Sequence, residues 1–366
     1  MNKIVIASDS FKGTFTSMEV ADSVEKGIRT VFPCCEVVKL NVADGGEGTM
    51  EAICSGAMSE TVYIEVSGPS GRKIRTSYAV LENRTAVIEV SRASGLTLLD
   101  PSERNPMSTS TYGTGEMIAD ALARGYKKFI VGIGGSATND AGTGMLAAVG
   151  YRFLDEGGVP VVPSGGSLHK IMSIDESAVS QALRESEFTV ACDVDSPLYG
   201  PEGAAYVFAP QKGADLEMVA SLDIGLKHFA SVAGYDAFFP GAGAAGGLGY
   251  ALKSFLNARM VKGIDLVLDA VGFDSAVHGA DLVITGEGRY DEQTASGKTV
   301  DGVMRRASSY GIPVIVIAGS VTSPSPIVLC ASHPDGGHAT SEDLSRTVEQ
   351  FLISQHKNTL ICAGHR

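Results

Sequence analysis

The stretch Lys128–Ala148 limits what this chain can fold into more than any other. It opens as an apolar run, Phe129-Ile130-Val131-Gly132-Ile133, and passes through Gly134-Gly135-Ser136-Ala137-Thr138-Asn139-Asp140 before small and apolar residues resume at Ala141. An apolar run that ends in glycines reads as a strand buried on both faces, the habit of parallel sheets. The polar cluster reads as a turn into a helix that starts near Ala141. Strand, loop and helix in that order are the building unit of an α/β fold. At such a turn the helix N-terminus offers unpaired N–H groups and the positive end of its dipole, and glycines let backbone approach an anion. Ser136, Thr138 and Asn139 add side-chain donors, while Asp140 can hold a cation or cap the helix. The loop reads as a cradle for phosphate or carboxylate. The competing reading is packing alone, because the loop matches neither G-x-G-x-x-G in its usual register nor G-x-x-x-x-G-K-[ST].

With 366 residues, 44% of them hydrophobic, the chain has material for two α/β domains, and a cleft between them is expected. The 44 glycines gather in loops that follow apolar runs, where a ligand could approach backbone. A net charge of -13 without any basic cluster excludes nucleic acid and anionic membranes as main partners. No apolar run nears the roughly 18 residues of a membrane span, and the chain enters a strand at once, so a cytoplasmic protein is expected, as monomer or homodimer. Six cysteines lack metal-ligand spacing and are expected to be buried, reduced thiols. Seven scattered histidines form no H-E-x-x-H and are read as structural or solvated.

In chain order, strand Lys3–Ala7 leads into Ser8-Asp9-Ser10-Phe11-Lys12-Gly13 and a helix through Met18, Val24 and Ile28. Asp9, Ser10 and Lys12 thus stand at the carboxyl end of a first strand, the edge where open α/β sheets bind ligands; otherwise Asp9 or Ser10 caps the helix. Strand Glu36–Asn41 leads into Asp44-Gly45-Gly46-Glu47, a loop able to hold Mg²⁺ through oxygen or to set an aspartate beside a reacting hydroxyl. Residues 61–90 then read as an antiparallel meander with tight turns, the start of a second domain inserted into the first.

Strand Phe188–Cys192 closes on Asp193-Val194-Asp195, suited to a metal or a general base. Pro240–Gly249 is a hinge, a close packing surface or part of a nucleotide loop. Strand Asp281–Thr285 precedes Gly286-Glu287-Gly288, and Glu287 and Asp291 can bind Mg²⁺. Gly297-Lys298-Thr299 imitates the end of a P-loop, but the required upstream glycine would fall at Glu292; Lys298 can still reach a phosphate. Ile312–Ala318 is a further buried strand, in the manner of the first domain.

Several of these stretches together resemble the bacterial glycerate kinase family: Asp9-Ser10-Phe11-Lys12-Gly13, Val42-Ala43-Asp44-Gly45-Gly46-Glu47-Gly48-Thr49, Thr111-Tyr112-Gly113-Thr114-Gly115-Glu116, Ile133–Asp140, Cys192-Asp193-Val194-Asp195 and Thr285-Gly286-Glu287-Gly288-Arg289. The resemblance implies a flavodoxin-like parallel-sheet domain built from both chain ends, 1–60 and 280–366, with a mixed α/β domain, 61–279, inserted between them. It also implies transfer of phosphate from ATP to D-glycerate with Mg²⁺, giving the 2-phosphate. Alternatives are a glycerate 3-kinase, a kinase of another small hydroxy acid, or a non-catalytic nucleotide-binding regulator.

Phosphoryl transfer asks for positioning and charge neutralisation. On this reading Asp193 is the expected base, with Lys12 and Asp44 completing the catalytic set. Asp44, Glu47 and Asp291 are expected to hold the metal. Asp9, Ser10, Gly45, Gly46, Gly134, Gly135, Ser136, Thr138, Asn139, Glu287 and Lys298 are expected to bind substrate or nucleotide. The chain departs from the family pattern at Arg92, expected to be a surface change in place of a small residue, and in Thr322–Pro326 and Ser332–His338.

Overall fold

The computed structural model describes the chain except residues 12, 44–47, 57, 291–297, 323–324, 326, 332, 334–337 and 364–366, and describes only the backbone of 298 and 356–363. Its strands are β1 (Lys3–Ser8), β2 (Glu36–Asn41), β3 (Ser59–Ser67), β4 (Lys73–Leu81), β5 (Thr85–Glu89), β6 (Lys128–Gly132) and β7 (Arg152–Leu154). They continue as β8 (Ser173–Asp175), β9 (Glu187–Ala191), β10 (Arg259–Val261), β11 (Leu282–Tyr290), β12 (Val314–Val321) and β13 (Val328–Cys330). The chain divides into two compact units, one of Met1–Asp44, Glu51–Gly56 and Ile264–Arg366, the other of Gly45–Met50 and Ala57–Gly263.

The first unit is built on a five-stranded sheet in the order β2-β1-β11-β12-β13, every neighbouring pair parallel. Numbered within the unit this is 2-1-3-4-5, the flavodoxin-like order. Both faces are covered, as the continuous apolar strands require. Ile4, Ile6, Leu282, Ile284, Ile315 and Ile317 face a core shared with helices Ser17–Val31 and Ser341–Ala363. The alternate residues Val316 and Ala318 pack with Val300 of helix Lys298–Ser309 on the other face. The two helices of the first face approach so closely at Gly27 that an added Cβ would lie 2.3 Å from the Ser345 carbonyl oxygen. Beyond the departure at Thr322–Pro326 a last strand forms, with Val316 of β12 opposite Val328 of β13.

The second unit carries a six-stranded sheet in the order β10-β9-β6-β5-β4-β3. From β10 to β5 the pairs are parallel, while β5-β4 and β4-β3 are antiparallel, the meander read from the sequence. Its core runs from Val62 to Ala258 and includes Phe153, Phe229 and Tyr250, whose rings meet edge-on at 5.7 and 6.2 Å around Phe229. The glycines of Pro240–Gly249 serve as a packing surface: Ala245, Gly246 and Gly247 take left-handed conformations inside helix Ala244–Leu256. A Cβ on Gly246 would sit 2.0 Å from the Thr138 carbonyl oxygen.

Among the cysteines, Cys35 is buried as expected. Cys34 and Cys330 are exposed and Cys54 and Cys192 half-buried, because they occupy a turn, short elements and a loop rather than core positions.

Candidate active site

In the first unit the functional edge is the carboxyl end of the sheet between β1 and β11, where the strand order reverses and open α/β sheets bind ligands. Asp9 follows β1 there, its N–H bonded to the Gly286 carbonyl at 3.1 Å. It does not cap the first helix. Thr16 does so in a capping box with Glu19. The Asp9 carboxylate instead accepts the Ser10 N–H at 2.7 Å and the Thr299 hydroxyl at 2.8 Å. Thr299 stands in the first turn of helix Lys298–Ser309, so Asp9, Ser10 and the end of the P-loop-like stretch are brought together. The Thr285 hydroxyl, fully buried on β11, has no partner among the described residues. Glu287 is half-buried on the same strand. Lys12, Asp44, Gly45, Gly46, Glu47 and Asp291 lie outside the described residues, as does the side chain of Lys298.

In the second unit the adjacent parallel strands β5, β6 and β9 end side by side, so their three following loops share one sheet edge. The β5 loop clamps the β6 loop through Leu96 N–H to Gly135 O at 2.9 Å and Ala137 N–H to Ser94 O at 2.8 Å. Gly135, at φ +69°, makes the turn. Asp193, half-buried after β9, accepts the Gly263 N–H at 2.8 Å, which fixes how its carboxylate points. Asp195 is exposed.

The β6 loop is buried and polar. Asp140 is a structural cap: its carboxylate accepts Thr111 N–H and hydroxyl at 2.8 and 2.9 Å, Gly142 N–H at 3.1 Å and Gly144 N–H at 3.2 Å. Burial raises its pKa and these hydrogen bonds oppose the rise. The helix that follows begins at Thr143, not near Ala141, because Ala141 and Gly142 are left-handed and Ala141 N–H bonds to Gly246 O at 3.0 Å. Met145 N–H goes to the Thr111 hydroxyl at 2.9 Å. The expectation that free helix N–H groups would face an anion is therefore corrected. What the loop offers is side chains: Thr138 Oγ1, Asn139 Nδ2 and Asn139 Oδ1 are buried without a partner among the described residues. Such orphans are rare in native folds and leave hydrogen-bonding capacity for a water or a polar ligand.

Beneath this loop lies Lys212, which no motif singles out. It is 2% exposed, and its Nζ donates to Ser136 Oγ at 2.9 Å and to the Thr138 carbonyl at 2.7 Å. Burial pushes its pKa down to about 7, against the upward pull of Asp140.

A chain of five parallel strands in flavodoxin order with an inserted mixed sheet, and strand-end loops rich in acids and buried donors, can be compared with known proteins. The model of the glycerate kinase family matches residues 4–332. The chain belongs to the glycerate kinase family. The glycerate kinase of Bacillus subtilis (strain 168) is 49% identical over 329 residues, 88% of this chain and 86% of that protein. The glycerate 2-kinase of Escherichia coli (strain K12) is 44% identical over 326 residues, 87% of this chain and 86% of that protein. A crystal structure of a protein from Salmonella typhimurium LT2, provisionally named glycerate kinase 2, superposes with a TM-score of 0.87 at 40% identity, covering 98% of this chain and 99% of that one.

Two further features of this glycerate kinase family member escape a reading of motifs. Glu89, an acid that closes the apolar strand β5, is 3% exposed, and it accepts Met50 N–H and the Arg92 Nε–H, each at 2.9 Å. Arg92 is thus not a surface change but the half-buried counter-charge of a buried carboxylate. The position of Glu89 at a strand's carboxyl end was a usable signal, the same one that singles out Asp9 and Asp193. For Lys212, a lone lysine in Pro210-Gln211-Lys212-Gly213, the sequence carries none.

Proposed function

We infer that this chain is a glycerate 2-kinase, transferring the γ-phosphoryl group of ATP to the 2-hydroxyl of (R)-glycerate to give ADP and 2-phospho-(R)-glycerate. The observation that carries the reading is the set of unpartnered buried donors on the β6 loop beside the strand-end Asp193, in a chain 44–49% identical to named glycerate kinases over most of its length. A small hydroxy acid needs such a pair of features: donors for its carboxylate and a carboxylate for its hydroxyl proton.

In this reading the loop Gly134–Asn139 receives the substrate carboxylate or a phosphate through Ser136, Thr138 and Asn139. Asp193, its orientation set by Gly263 N–H, takes the proton of the attacking hydroxyl as the oxygen–phosphorus bond forms and ADP leaves. Asp9, Ser10, Glu287, Lys12 and Lys298 serve the nucleotide, the lysines by screening phosphate charge. Mg²⁺ is part of the proposal through Asp44, Glu47 and Asp291. Bound there, the ion would neutralise charge on the transferred phosphate; among the described residues no group of three or more metal-ligating side chains occurs. The reaction is proposed for the cytoplasm, with the chain as monomer or homodimer; among the described residues no helix is long and apolar enough to cross a membrane.

The test is a coupled assay of the purified chain with ATP, Mg²⁺ and D-glycerate, reading the product through enolase with no phosphoglycerate mutase. Direct signal is expected, and EDTA in place of Mg²⁺ should abolish it. Signal only after mutase is added would make the enzyme a 3-kinase. Silence in both would reject D-glycerate as the substrate.

A further inference from the structure

Lys212 is an almost fully buried amine beneath the β6 loop. Two of its ammonium protons go to neutral acceptors, a hydroxyl and a carbonyl, and it has no ion pair among the described residues. Asp140, in the same loop, is already occupied by donors from Ser110, Thr111, Gly142 and Gly144. Among the described residues, charged groups on neighbouring segments include Arg104, whose carbonyl would lie 2.3 Å from a Cβ on Gly213, and Asp215, an exposed cap of helix Leu216–Ala233. Arg104 itself has a buried Nε without a partner. A buried ammonium without an adjacent anion is costly. The loop above it presents the second observation: the Thr138 and Asn139 side chains, both fully buried, still lack partners. Ser136, having accepted from Lys212, keeps its own hydroxyl proton to donate onward.

We propose that Lys212 is the charge-matching positioning residue of this loop, becoming protonated when an oxyanion, the substrate carboxylate or a nucleotide phosphate, binds at Ser136, Thr138 and Asn139. Before binding, desolvation favours the neutral amine. The anion then supplies the missing counter-charge, Nζ takes a proton from solvent, and the ammonium polarises Ser136 Oγ–H toward the ligand. Burial, opposed by Asp140, holds the amine's pKa near 7 in the absence of ligand, so at pH 8 the amine is mostly neutral until the anion binds. The inference rests on the kinase reading for the identity of the ligands but not for its physics.

The experiment is calorimetric titration of the full chain with D-glycerate alone, and separately with ADP alone, at pH 8 in buffers of different ionisation enthalpy. Uptake approaching about one proton per site is expected for one of the two ligands. D-glycerate as the active ligand identifies the oxyanion as carboxylate, and ADP identifies it as phosphate. Lys212→Met should abolish the uptake and raise the Kd of that same ligand at least tenfold, with the other Kd within twofold. A merely structural lysine would raise both alike and leave proton uptake unchanged. If Lys212→Met does not fold, Ser136→Ala, which keeps the amine and removes the relayed hydroxyl, should weaken the same ligand about tenfold. No proton uptake with either ligand, uptake that persists in Lys212→Met, or Ser136→Ala binding as wild type would each overturn the proposal. A chain that phosphorylates D-glycerate without proton uptake keeps its function and loses this role. Proton uptake without phosphoryl transfer keeps the role and rejects the kinase reading.

Discussion

At the scale of single residues, carboxylates that look alike in sequence do opposite work. Asp140 answers backbone N–H groups of Thr111, Gly142 and Gly144, so Asp140→Ala strands several buried donors, each costing about 1–3 kcal/mol. A loss of at least about 3 kcal/mol is expected from denaturant melts, with activity falling because the loop is lost. Asp193 accepts the Gly263 N–H at 2.8 Å and is only half-buried. Asp193→Asn should melt within about 1 kcal/mol of wild type yet lower kcat by roughly 10²–10⁴; unchanged kcat would remove it from the base role. Lys212 gives the pH dependence. Its folded pKa, about 7, lies below that of an unfolded lysine, about 10.4. Between those values the unfolded chain binds more protons, so stability rises with pH, and the penalty is complete only below about 7. Urea midpoints should therefore climb from pH 7 to 9.5 in wild type, and the climb should be smaller in Lys212→Met. Equal slopes would show that the amine is not desolvated in the folded state.

At the scale of elements, the cradle is shaped by a neighbour it does not touch in sequence. Gly246 lies where a Cβ would meet Thr138 O at 2.0 Å and Asn139 Cα at 2.6 Å. Both are backbone, so no side-chain rotation relieves the clash, and φ +70° adds strain. Gly246→Ala should displace the loop, raise the KM for D-glycerate and cost several kcal/mol, on the order of 2–4. Gly234→Ala, also at positive φ but with open space around its Cβ, should cost about 1 kcal/mol and leave KM unchanged. This pair also marks where the sequence stops being legible. The apolar runs of β1, β6, β11 and β12, the meander from Thr61 to Val90 and the acids at strand ends could be read because each signal is local, a period or a residue at an element's end. The packing use of Pro240–Gly249, the pairing of Arg92 with Glu89, the exclusion of the helix N–H groups by Asp140 and Thr111, and the reach of Lys212 to a loop more than 70 residues away could not. Their partners are fixed by tertiary contacts, which local pattern does not encode.

At the scale of the whole molecule, the two units depend differently on the continuity of the chain. The five-stranded sheet takes β1 and β2 from one chain end and β11, β12 and β13 from the other, and its central pair is β1 with β11. Neither end alone can bury those strands, since each would expose a central edge and half of the core of Ile4, Ile6, Leu282, Ile284, Ile315 and Ile317. The strands of the six-stranded sheet are contiguous in the chain, and among the described residues its buried apolar core runs from Val62 to Ala258, with Met50 N–H the contribution from the preceding segment through its bond to Glu89. About 200 residues with their own core lie within the size range of domains that fold independently. A fragment of residues 58–263 should therefore fold alone, with one cooperative thermal transition and dispersed amide resonances, whereas a fragment of 1–56 should remain unfolded. A fragment 58–263 that collapses without a cooperative transition would mean that the inserted unit needs the two chain ends for its stability. In that case the strand-end loops that carry Asn139 and Asp193, and the turn Pro210–Lys212 that meets the first of them, are ordered only in the intact chain.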